Sequence, residues 1–245
     1  MKLTTILGRT ILGARLFVCL GASLPAEDDL RLSDDQPLRL PPAGSYQLRI
    51  LAPSLLELAL VTTKRPDPAP AAQWNFVDAK GQARLPEPGE FAVSANGHVI
   101  EIKRIGFKRR VLYAPFRQRD LRIANYLYLE LSEAIGENQM VVVQNPGHDL
   151  WPATLQFSAR NDRLRFSPVL HVNQTGYLPD FPKEAMIGYY LGSLGEMDVA
   201  AAGATQFQIL DARSGREVFR RPLRPRPDQG FPNPCPDLSK SAVLT

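Results

Sequence analysis

The order of apolar and polar positions reads as a succession of short strands. Tyr46–Leu51 alternates apolar with polar, and Leu55–Thr63 is a second run with stronger apolar content. Trp74–Val77 and Ala83–Leu85 flank Asp78-Ala79-Lys80-Gly81, which has the chemistry of a hairpin turn. Phe91–Ala95 and His98–Arg104 flank Asn96-Gly97, the strongest short hairpin signal in the chain. Phe107–Phe116, Tyr126–Leu131 and Met140–Gln144 continue the series, and Asn145-Pro146-Gly147 closes it with a turn. Leu155–Phe157 and Leu164–Phe166 follow. Between Lys64 and Ala72, Arg-Pro-Asp-Pro-Ala-Pro admits only a stiff, extended loop.

Beyond residue 166 the pattern resumes. Leu170 and Val172 alternate with polar neighbours, Gly176 permits a positive φ, and Pro179 and Pro182 fix an extended exit. Met186–Leu191 has the content of a second strand. Phe207–Leu210, the turn Asp211–Gly215 and Glu217–Phe219 form a further strand-turn-strand unit, and Pro222–Pro236 is an irregular loop. Ser241–Thr245 reads as the beginning of a strand, expected to fray without its continuation. Short strands with turns about every eight to twelve residues predict an all-β protein of sandwiches. Residues 39–165 form the first module and 168–245 the second, after a leader at 1–26 and a lead-in at 27–38. Phe76–Gly81 and Ile209–Gly215 both begin apolar-apolar-Asp-Ala, a weak sign of duplication that turn chemistry alone would also produce.

The stretch His171–Ala185 narrows the reading. Val172, Asn173, Gln174, Gly176, Tyr177, Pro179, Pro182, Lys183 and Ala185 fall in the register Val-Asn-Gln-x-Gly-Tyr, Pro, Pro-Lys-x-Ala. This resembles the opening of the immunoglobulin-like domain that precedes the catalytic domain in family-nine glycoside hydrolases, the cellulase family. The Asp-Ala-x-x-Gly turn at Asp211–Gly215 resembles the same domain. Together with the strand pattern of residues 39–165, the reading is two immunoglobulin-like β-sandwiches in tandem, and the resemblance implies that the second is truncated at its C-terminal end. Pro168–Thr245 is 78 residues, whereas a seven-strand sandwich needs about 100. The implied partner is a catalytic glycoside hydrolase domain in cis, which this sequence lacks.

Composition changes the picture mainly at the N-terminus. Lys2, Arg9 and Arg15, the apolar run Leu16–Leu24 and the small residues of Ala22–Ala26 read as an export signal, with a buried first strand as the alternative, so the expected location is secreted or periplasmic. Phe17-Val18 before Cys19 makes a poor lipoprotein box, and no run reaches the length of a membrane span. The leader holds three of the 29 basic residues and none of the 25 acidic ones, which leaves 26 against 25. That near-neutral balance argues against nucleic acid as a partner. Only Cys235 follows the leader, so the mature chain has no internal disulfide.

Candidate chemistry is sparse. Glycoside hydrolysis needs two carboxyl groups facing each other across the bond. The family supplies them from Asp-Ala-Gly-Asp and a distant glutamate, whereas Asp78-Ala79-Lys80 and Asp211-Ala212-Arg213 share only two letters of that motif. No catalytic residue is therefore expected. His98, His148 and His171 lack ligand spacing, so no metal or cofactor is expected either. Lys103, Arg104, Lys108, Arg109, Arg110, Arg117, Arg119 and Arg122, with Phe107, Tyr113 and Phe116 among them, read either as a groove for an acidic polysaccharide or nucleic acid or as a pair of solvated strand faces, one form of which is an edge guarded by charge. The near-neutral mature balance favours the second. Tyr126 and Tyr128 share one face of a strand whose other face carries Leu127, Leu129 and Leu131. That pair is either a contact for the sugar rings of a polysaccharide or an ordinary cross-strand pair. Trp74 and Trp151 read as core or domain-interface residues rather than ligand contacts. The leading expectation is a non-catalytic brace for a family-nine catalytic domain. The alternatives are a carbohydrate-binding module and an extracellular structural or adhesion protein.

Overall fold

A computed structural model of the chain describes residues 30–34, 39–63, 74, 76, 78, 80, 82, 84–114, 121–200 and 203–225, together with the strand Ala242–Leu244. The leader, the Arg-Pro-Asp-Pro-Ala-Pro loop, Phe116, Arg117, Arg119 and Cys235 lie outside the described residues. Among the described residues the protein is all-β, with no α-helix and with antiparallel ladders throughout. β1 (Tyr46–Ala52) and β2 (Leu55–Thr63) form a hairpin. β3 (Ala92–Ala95) and β4 (His98–Ile100) turn through Asn96 at φ +48° and Gly97 at φ +85°, the double positive φ that a type I′ turn requires. β5 (Ile102–Tyr113) and β6 (Arg122–Leu131) are long, and β7 (Met140–Gln144) and β8 (Phe157–Arg160) are short.

Two sheets result, ordered β1-β2-β6-β5 and β4-β3-β7-β8. Between them Leu56, Leu58 and Leu60 of β2 and Leu127, Leu129 and Leu131 of β6 meet Val93, Val141, Val143 and Phe157. Trp74 and Trp151 belong to this core, as expected, and the Trp74 indole donates to the Leu150 carbonyl at 3.0 Å. The lead-in joins the same sandwich, since Arg31 forms a parallel bridge with Tyr46 at the edge of β1.

The second module contains β9 (Leu170–His171), β10 (Ala185–Ile187), the hairpin of β11 (Gln206–Leu210) and β12 (Glu217–Pro222), β13 (Arg224–Pro225) and β14 (Ala242–Leu244). Its larger sheet has the order β13-β14-β10-β9. Ala242–Leu244 thus pairs on both sides, with β10 and with β13. It is an inner strand rather than the fraying end that the sequence led us to expect. Leu164–Phe166 forms no strand; Arg165 instead donates to the Ile50 carbonyl at 2.9 Å and ties the linker to β1.

The modules do not merely follow one another. Strands β2 and β6 are buried on both faces over most of their length. Their outer face, with Ala59, Ala124, Tyr126 and Tyr128, shares a second core with Val169, Ile187, Leu191, Met197 and Val199. The sheet β1-β2-β6-β5 is therefore the middle layer of the molecule.

Candidate functional site

Two places merit description as sites: the seam on the outer face of the middle sheet and the loop that carries the family motif. In the seam, strand parity puts Tyr126 and Tyr128 opposite the leucines of β6, as the sequence implies. The face they occupy is nevertheless closed. Tyr128 is 0% exposed and Tyr126 8%, under the apolar side chains of the second module. A sugar ring needs a free aromatic face to stack on, so the expected carbohydrate contact at Tyr126 and Tyr128 is corrected to an inter-module packing role.

The seam also contains charge. Glu57, in the middle of β2, is 0% exposed. Its Oε1 accepts a hydrogen bond from Arg49 Nη1 at 3.0 Å, and its Oε2 accepts from the Tyr189 hydroxyl at 2.8 Å. Arg49 also donates to Asp34 from Nη2 at 2.7 Å and from Nε at 3.2 Å. Burial alone would lower the Arg49 pKa, but Asp34 and Glu57 more than offset it and the net shift is upward. Burial, reinforced by the Glu57 charge, holds the Tyr128 and Tyr189 hydroxyls protonated well above the ordinary tyrosine value. Lys108 of β5 lies 4.2 Å from the Tyr189 ring centroid and 5.0 and 5.3 Å from those of Tyr126 and Tyr128. Its ammonium is attracted to the negative ring faces and donates to the Tyr190 carbonyl at 2.9 Å. Burial pulls its pKa down, against an upward pull from Glu57.

Sequence reasoning missed Glu57 and Tyr189. The available signal was a carboxylate inside the apolar run Leu55–Thr63, because a charge in the middle of a buried strand needs a partner. Three other cations of this region are committed to the fold as well. Arg104 pairs with Glu130, Arg109 donates to Asn125 and to the Trp74 carbonyl, and Arg122 donates to the Pro41 carbonyl. They lie along β5, an edge strand of its sheet, and its partner β6, in keeping with an edge guarded by charge.

The motif loop is exposed and internally braced. Asn173 Oδ1 accepts from the Thr175 amide at 3.1 Å and from its hydroxyl at 2.7 Å. Gly176, at φ +98°, occupies the left-handed region that a side chain resists. The Tyr177 hydroxyl accepts from the Asn173 amide at 3.1 Å and donates to the Glu184 carbonyl, closing the loop. Lys183 folds back onto the Pro179 and Phe181 carbonyls at 2.6 and 3.1 Å. Val172, Gln174, Pro179 and Pro182 face solvent, and Ala185 begins β10. These side chains fix a shape and present no reactive group.

Residues 165–230 match the family model of the cellulase N-terminal ig-like domain. No curated protein and no solved structure matches the chain. The match takes in 66 of the 245 residues, so it assigns nothing to the first module. The Ig-like segment begins at the linker residue Arg165 and runs through the motif loop, β9–β12 and β13. On its outside Val172 is 59% exposed and Leu178 and Phe181 64% each, with Leu170 and Met186 also exposed on the two strands that flank the loop.

Both Asp-Ala pairs are engaged in their own turns. Asp78 Oδ1 accepts from the amides of Lys80 and Gln82, both at 2.9 Å. Asp211 Oδ1, in the Ig-like segment, accepts from the Ser214 hydroxyl at 2.7 Å and from the amides of Ser214 and Arg213 at 2.8 and 3.2 Å. The Ser214 bonds hold the Asp211 carboxyl below its ordinary range. Both aspartates organise their own turns, which accounts for the likeness of the two segments without a duplication. Among the described residues, no three His, Cys, Asp or Glu side chains gather as a metal site would require.

Proposed function

We propose that this chain is the non-catalytic N-terminal Ig-like accessory region of an exported family-nine glycoside hydrolase, which braces the catalytic domain for polysaccharide degradation. The observation that carries the reading is the match of residues 165–230 to the cellulase N-terminal ig-like domain, because such domains accompany a family-nine catalytic domain. The exposed apolar side chains at Leu170, Val172, Leu178, Phe181 and Met186 support it. An apolar surface offered by a braced loop fits a protein partner better than a hydrated sugar. The turn roles of Asp78 and Asp211 fit an inactive chain. Export rests on the basic and apolar pattern of residues 1–26, and N-terminal sequencing of exported protein should find cleavage near Ala26.

Calorimetric titration separates a brace from a sugar binder. The purified chain is titrated first with a family-nine catalytic domain and then with cellohexaose. Heat is expected with the catalytic domain, reduced at least tenfold in affinity by the double variant Leu178→Asp, Phe181→Asp, and none with the oligosaccharide. The opposite pattern would make the chain a carbohydrate-binding module. Release of reducing sugar from carboxymethylcellulose by the chain alone would overturn the non-catalytic reading.

A further inference from the structure

We propose that the first module is the folding scaffold of the Ig-like segment, which completes its core only on the outer face of the β1-β2-β6-β5 sheet. The family match gives the first module no role, and the distribution of burial supplies one. Among the described residues of the second module, all five buried apolar side chains, Val169, Ile187, Leu191, Met197 and Val199, belong to the core shared with the first. Strand β12 is exposed along its whole length and β9 at both residues, so neither contributes to a private core. A chain of this size folding alone buries only about 60% of its surface and is marginal even with a full core. The Ig-like segment takes the missing half from its neighbour.

The contact is shaped for that partner. The short 3-10 turn Gly192–Leu194 lies against β5. Gly192 has φ +62°, and a Cβ added there would stand 2.1 Å from the Phe107 carbonyl oxygen. A Cβ added at Gly106 would stand 2.5 Å from Leu194 Cγ. Gly192 thus allows a backbone approach to β5 that a side chain would block, and Gly106 on the opposite side of the seam leaves room for the Leu194 side chain. The Phe107 amide, on the free edge of β5, donates to Ser193 Oγ at 2.9 Å, so the turn also satisfies an edge donor. The Tyr189 hydroxyl and the Tyr190 carbonyl reach across to Glu57 and Lys108. The first module has a complete core on its other face, in which the second module takes no part. The dependence therefore runs in one direction.

Hydrogen exchange of the full chain, read by peptide mass spectrometry, tests the direction. Leu194→Asp places a carboxylate in the apolar contact with Gly106, and Ser193→Ala removes one hydrogen bond as a milder lesion. Opening of the seam is read independently by nitration of Tyr126 and Tyr128 with tetranitromethane. In Leu194→Asp the tyrosines are expected to become reactive while the amides of Ala185–Ile187 exchange at least tenfold faster, with Met140–Gln144 unchanged. Ser193→Ala should shift both readouts in the same sense by less. Three results would overturn the proposal. The tyrosines could become reactive while Ala185–Ile187 keeps its protection, which would mean the segment has its own core. Neither readout could change in Leu194→Asp, which would mean the turn is not the dock. Met140–Gln144 could lose protection together with Ala185–Ile187 in both variants, which would mean the first module does not stand without its cargo.

Discussion

Gly97 holds φ +85° beside Asn96 at φ +48°, and no atom lies within 4 Å of the position its Cβ would take. Substitution there is opposed by backbone conformation alone. Gly97→Val should cost about 1–2 kcal/mol and lower Tm by about 2–8 °C, read by circular dichroism; an unchanged melting curve would remove the turn from the fold. The two seam tyrosines should respond unequally to loss of a hydroxyl. Tyr189 donates to the buried carboxylate of Glu57 at 2.8 Å, whereas the Tyr128 hydroxyl lies near Glu57 and Tyr189 without a well-formed hydrogen bond. Tyr189→Phe should lower stability by about 1.5–3 kcal/mol, and Tyr128→Phe by no more than about 1 kcal/mol. Chemical denaturation of the two variants side by side is the measurement, and equal losses would refute the assignment of Glu57 to Tyr189. Asn96-Gly97 was legible in the sequence because its conformation is a local property of two residues. The Glu57–Tyr189 bond was not, because its partners lie 132 positions apart.

At the scale of elements, β2 and β7 appear with the bounds the apolar pattern gives, while β6 begins four residues before the expected Tyr126. Parity of β6 was also legible, since Leu127, Leu129 and Leu131 do face the sandwich core. What parity does not encode is whether the other face meets water or a further layer. That depends on residues 185–199, far along the chain, and it decided the fate of Tyr126 and Tyr128. The closed seam has a pH signature. Tyr126, Tyr128 and Tyr189 have folded pKa values raised by burial above the ordinary 10.0, so above about pH 10 the folded state keeps protons that the unfolded chain releases. Stability is then fully present below that value and falls as pH rises beyond it. Lys108, lowered by burial from 10.5, acts in the opposite sense up to its ordinary value and contributes no slope above it. Glu57, Arg49 and Arg110 are the other charged groups that face this cluster. Unfolding free energies from pH 7 to 11 should therefore stay level or rise slightly and then decline. Tyr189→Phe should reduce the alkaline slope by about one proton. A slope unaffected by that substitution would show that the tyrosine titrates freely in the folded protein.

For the molecule as a whole, the middle sheet couples what the sequence presents as two modules. Domains joined by a linker usually melt separately, and a chain of 245 residues exceeds the size at which two-state unfolding is the rule. Here, however, β2 and β6 contribute side chains to both cores, so the second core cannot survive the loss of the first. The unmodified chain should give a calorimetric endotherm in which the Ig-like segment melts with the first module or before it, never after it. The forces across the seam also set how that endotherm responds to salt. Exposed ion pairs such as Arg104–Glu130 contribute only about 0–1 kcal/mol each and are screened within about 10 Å at 0.1 M salt. The seam is held instead by apolar side chains and by Glu57, which solvent does not reach. Raising sodium chloride from 0.05 to 0.5 M should consequently move the midpoint by no more than about 2 °C, the change expected from losing one weak surface pair. A low-temperature shoulder that grows with salt would mean that the Ig-like segment rests on the first module through its surface charges, not through the buried face of β2 and β6.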